Sequence, residues 1–176
     1  MKKTTFLLMM LVASSTYAST GDTSSGRVTF SGYVPGFVSN GGFIVTGQGG
    51  SLAANDFSAA LNILSDGTFT TLSPVVLEGH SWESDDTIGE LQDADWTVTG
   101  VQVLNTGFES IADAIVVKDA VSGNEVTAAD IGSGATLVSA ADIVNISIRN
   151  NTSIDDSQKL AGEDLQVAVD ILATSN

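Results

Sequence analysis

Apolar residues in this chain recur at every second position in short runs, and turn-forming residues interrupt the runs about every ten positions. On an extended backbone such alternation gathers one set of side chains on a single face. It predicts strands over residues 28–34, 43–47, 57–64, 68–72, 75–78, 96–104, 114–118, 125–127, 143–149 and 165–172. Two tight hairpins are expected, at Ser65-Asp66-Gly67 and at Ser122-Gly123-Asn124, because both supply residues that tolerate the positive φ of a short turn. Helical periodicity is thin. Residues 57–64 have a capping candidate in Asn55 or Asp56 but run into a hairpin, and Gly132 and Gly134 interrupt 128–141, leaving room there for one short helical turn. Many short strands separated by turns predict an all-β fold, an immunoglobulin-like β-sandwich. No internal repeat is present, which argues against a solenoid or a propeller.

Residues 1–18 read as a signal peptide: Lys2 and Lys3 precede an apolar run from Phe6 to Val12, and Thr16-Tyr17-Ala18 offers small residues before a cut at Ser19. The run is shorter than the roughly 20 residues needed to span a bilayer. An exported protein without membrane insertion is therefore expected, divided into a leader (1–18), an N-terminal extension (19–34) and one domain (35–176). Residues 19–26 are small and polar, and the expectation for them in an isolated chain is disorder.

Loss of the leader leaves four basic residues against 21 acidic ones, a net charge of −17. A surface this acidic repels phosphate backbones and argues against nucleic-acid partners. The chain contains no cysteine, which excludes thiol catalysis, cysteine-ligated zinc and disulfides.

Candidate chemistry is sparse. His80, the sole histidine, lies in Glu78-Gly79-His80-Ser81-Trp82-Glu83, and no nucleophile motif accompanies it. A packed or solvent-facing histidine is expected, with no catalytic residues. The acids Glu83, Asp85, Asp86, Glu90, Asp93 and Asp95 match no calcium-loop spacing and read as a solvated loop, with no metal and no cofactor. Trp82 and Trp96 flank that segment as core or rim aromatics, or as a platform for a glycan.

Arg27-Val28-Thr29-Phe30-Ser31-Gly32-Tyr33-Val34 places Val28, Phe30, Gly32 and Val34 on alternate positions, behind a polar leader and ahead of Pro35-Gly36. This V-x-F-x-G-x-V pattern resembles the N-terminal donor strand of bacterial chaperone–usher pilus subunits. Leu165, Val167, Val169 and Ile171 also alternate, as the family's closing strand does beside its groove. The chain lacks the cysteine pair of type 1-like pilins and a near-terminal aromatic, which places the resemblance with cysteine-free fimbrial branches.

The resemblance implies an incomplete sandwich, completed by a donor strand from a neighbouring subunit. Val28, Phe30 and Val34 would occupy pockets, and Gly32 would lie where the groove is shallow. The implied partners are identical subunits in a polymer, a periplasmic chaperone, an outer-membrane usher and a host receptor. The implied location is an extracellular pilus on the bacterial surface, reached through the periplasm. Two rival readings stand beside it: a self-contained secreted β-sandwich binding calcium or glycan, and a periplasmic enzyme built around His80.

Overall fold

The computed structural model describes residues 21, 23–29, 42–82, 87–105, 109–131, 133–150, 152–153 and 165–176. The leader 1–18, together with Phe30, Gly32 and Val34, lies outside the described residues. The described chain is mostly β, with twelve strands in two sheets.

The smaller sheet has four strands: β1 (Thr23–Thr29), β12 (Val167–Ser175), β7 (Ala94–Val103) and β10 (Thr136–Ala141), in the order β1-β12-β7-β10. The larger sheet is built on β2 (Phe43–Gly47), β5 (Val75–Trp82), β11 (Ile143–Asn150), β4 (Phe69–Thr71) and β3 (Leu61–Ile63), in that order. Three further strands branch from it: β6 (Ile88–Leu91) on β5, β8 (Ile115–Asp119) on β11, and β9 (Glu125–Thr127) on β8. All the pairings are antiparallel.

Alternation explains the core. Along β12, Val167, Val169, Ile171 and Ala173 are buried, and along β7, Ala94, Trp96 and Val98 are. They meet Phe43 and Val45 of β2, Val75 and Leu77 of β5, and Val144, Ile146 and Ile148 of β11 in one apolar cluster. Trp96 is wholly buried and satisfies its indole by donating Nε1–H to the Ala141 carbonyl at 2.8 Å.

Both expected hairpins form. Leu64 N–H donates to Thr68 O at 2.8 Å across the first turn, where Gly67 takes φ +82° and Asp66 Oδ1 accepts from Thr68 N at 3.0 Å. Gly123 (φ +77°) serves the second turn, and Asp119 N–H donates to Asn124 O at 3.0 Å. The single helical turn expected in 128–141 is α1, Ala128–Ile131.

Several expectations are corrected. Residues 57–64 do not form one strand: a 3-10 turn, Ala54–Phe57, buries Phe57, and only Leu61–Ile63 is extended. The segment 83–95 is not simply a loop, because Ile88–Leu91 pairs with the end of β5. Thr136–Ala141 forms a strand, where no strand was expected. Thr23–Gly26, expected to be disordered, is extended. The backbone N–H and C=O groups on the edge of β12 require partners, and small polar residues supply main-chain bonds without needing large side chains.

Candidate functional site: the edge shared by the first and last strands

β1 lies along β12 over seven residue pairs, from Thr23 opposite Thr174 to Thr29 opposite Ala168. The other edge of β12 is held by β7 over nine residue pairs, from Val167 opposite Val103 to Ser175 opposite Ala94. The N-terminal strand therefore occupies the outermost position of the four-stranded sheet and covers one edge of the C-terminal strand. Gly21 N–H extends the contact by donating to Ser175 O at 3.1 Å.

The described N-terminal strand covers 23–29, which meets the expected strand 28–34 at Val28 and Thr29; residues 30–34 lie outside the described residues. Val28 is on it, opposite Val169. Of the closing-strand residues, Val167, Val169 and Ile171 fall on β12 with their side chains in the core, and Leu165 precedes the strand but is also buried. The register brings Val28 to Val169 and Gly26 to Ile171. Gly26 was missed because its strand begins five residues before the apolar alternation does.

A second polar cluster lies on the opposite sheet, on the outer face of β5. Glu78 and His80 are two residues apart on one strand and so share a face; both are largely buried, at 7% and 8% exposure. His80 Nε2 stands 3.0 Å from Glu78 Oε2, and Nδ1 stands 2.9 Å from the Gly89 carbonyl of β6. Gly50 N–H donates to Glu78 Oε2 at 3.0 Å, from a 3-10 turn, Gln48–Gly50, in which Gly49 and Gly50 both take positive φ. Burial pushes the Glu78 carboxyl up, but the backbone N–H groups of Gly49 and Gly50 and the His80 ring more than offset it, so its pKa is lowered. The cluster ties the turn and β6 to β5. Among the described residues, no hydroxyl or thiol nucleophile is hydrogen-bonded to His80, whose two ring nitrogens meet Gly89 O and Glu78 Oε2.

Among the described residues, no group of three or more His, Cys, Asp or Glu side chains gathers as a metal site would require. Glu83, Asp85 and Asp86 lie outside them, and Asp95 Oδ1 accepts from Ala140 N at 3.0 Å. Among the described residues no helix is long and apolar enough to cross a membrane. Compared with known proteins, the chain matches no protein-family model, no curated protein and no solved structure.

Proposed function

We propose that the chain is a structural subunit of an extracellular adhesive pilus, assembled by strand addition between copies. The observation that carries this reading is the antiparallel seating of the N-terminal strand on the free edge of the C-terminal strand. A neighbouring copy can make the same contact, because main-chain pairing is indifferent to which chain donates the strand.

On this reading the two sheets form an immunoglobulin-like sandwich that a donated strand completes. The leader directs export, a periplasmic chaperone covers β12 until assembly, and an outer-membrane usher exchanges it for the next subunit's strand. The subunit needs neither cofactor nor catalysis, and its surface is free to meet a host receptor.

A second reading has its own support. β1 pairs with β12 of the same chain, as it would in a self-contained secreted sandwich that binds calcium or glycan.

The deciding experiment is an unboiled denaturing gel of material sheared from cells making the protein. A ladder of monomer multiples that collapses on boiling, and disappears when residues 19–34 are deleted, supports strand addition. Monomer alone from the intact chain overturns it in favour of the self-contained form.

A further inference from the structure

β1 and β12 carry one charged residue each, Arg27 and Asp170, and the register sets them opposite one another. The apolar pattern alone does not select this register. A slip of one residue would turn β1 over, but a slip of two keeps every residue on its face. Val28 is the one large apolar residue in β1, and Val167, Val169 and Ile171 would each give it an apolar neighbour.

Slipping by two does change the charges. Arg27 would then stand opposite Ala168 or Leu172, and Asp170 would lose its opposite charge. Asp170 is moreover fixed from its other side. The ladder between β12 and β7 shifts after it, passing from Asp170 opposite Gly100 to Ile171 opposite Val98. Its carboxylate lies across Gly100, where a Cβ would come 2.8 Å from Oδ2, and Thr99 Oγ1 donates to its carbonyl at 3.2 Å. The negative charge therefore sits at one defined place along the edge.

We propose that the opposition of Arg27 and Asp170 sets the register in which an N-terminal strand seats on β12, whether that strand comes from the same chain or from a second copy. The consequence between copies rests on the strand-addition reading; the register within the edge does not. The pair also orients the incoming strand, since few other positive charges remain on a chain this acidic.

The test uses the full chain, whose lack of cysteine lets introduced pairs report alone. Ser25→Cys with Leu172→Cys marks the observed register, while Ser25→Cys with Thr174→Cys and Thr23→Cys with Leu172→Cys mark the two slipped ones. Mild oxidation should link the first pair strongly and the other two weakly. Asp170→Arg, or the gentler Asp170→Asn if the former fails to fold, should reduce the first link roughly two- to fivefold and raise a slipped one. Arg27→Asp together with Asp170→Arg should restore the original pattern. A pattern insensitive to Asp170 overturns the proposal, as does failure of the double reversal to restore it or absence of the first link in the parent. A non-reducing gel separates links within one chain from links between two. Links confined to single chains retire the polymer reading and leave the register pair standing. Links between chains that ignore the charges do the reverse.

Discussion

Glu78 Oε2 and His80 Nε2 are hydrogen-bonded at 3.0 Å on the outer face of β5, with Gly50 N–H bound to the same carboxylate oxygen and Gly89 O bound to the far ring nitrogen. Both His80 nitrogens thus face oxygen acceptors. The pair replaces solvation lost on burial, and it fastens two otherwise separate segments to β5.

Acid should therefore loosen this protein. The Glu78 carboxyl lies below its ordinary 4.5, and Asp119 lies below its ordinary 3.8. At Asp119 burial acts upward, but hydrogen bonds from the Ser122 hydroxyl and from the backbone N–H groups of Ser122, Asn145 and Val121 prevail. A depressed folded pKa means the unfolded chain binds protons first on acidification. The stabilisation is complete above the ordinary values and disappears as pH falls through the folded ones. Urea midpoints should hold from neutral pH to about pH 5 and decline below about pH 4. Glu78→Gln should lower the midpoint at neutral pH and flatten part of that decline.

Asp119 provides a second, separable test. Its Oδ1 accepts from Asn145 N at 2.8 Å and its Oδ2 from Ser122 N at 2.6 Å, joining the β8–β9 turn to β11. Asp119 is only 3% exposed, so Asp119→Ala leaves part-buried N–H groups without their acceptor. The expected loss is about 1–3 kcal/mol in chemical denaturation. Ser122→Ala, which keeps the backbone donors, should cost less.

Gly79 is a packing requirement. A Cβ there would lie 2.6 Å from Gln92 O and 3.1 Å from the Phe43 ring. Gly79→Ala should destabilise by about 1–3 kcal/mol, because the ring and the backbone at Gln92, between β6 and β7, must shift to admit a methyl group. Thermal melting of this variant beside Gly123→Ala separates the causes. Gly123 has open space and only its positive φ to resist the change.

Alternation revealed what depended on burial. β2 and β9 fall where apolar spacing put them, and both hairpins follow from turn residues that carry their own conformational preference. β6 was hidden because Ile88-Gly89-Glu90-Leu91 does not alternate; it is extended because the end of β5 offers it an edge. β10 was hidden by its irregular pairing with β7, including Ala140 at φ +50°. Glu78 and His80 were spaced to share a face, but the strand read from the sequence stopped at Glu78, short of His80. In the N-terminal strand, the residues ahead of Val28 were not legible. Thr23–Gly26 pairs through its backbone, and main-chain hydrogen bonding leaves no apolar signature in a sequence.

That last point makes the edge of β12 testable by removing the strand and returning it. Deleting residues 19–29 should uncover the β12 edge beside the buried row Val167, Val169 and Ile171. An unpaired, apolar strand edge invites association, so the shortened chain should melt at a lower temperature and enter aggregates or dimers on size exclusion. A synthetic peptide covering residues 19–34 should bind it, raise the melting temperature in proportion to the logarithm of peptide concentration, and restore a monodisperse peak. The same peptide should leave the intact chain unchanged if its own β1 stays seated, and should block polymer growth if β1 exchanges between copies. A shortened chain that melts like the parent and ignores the peptide would mean that β1 contributes nothing to the fold, and strand addition at this edge would have to be abandoned.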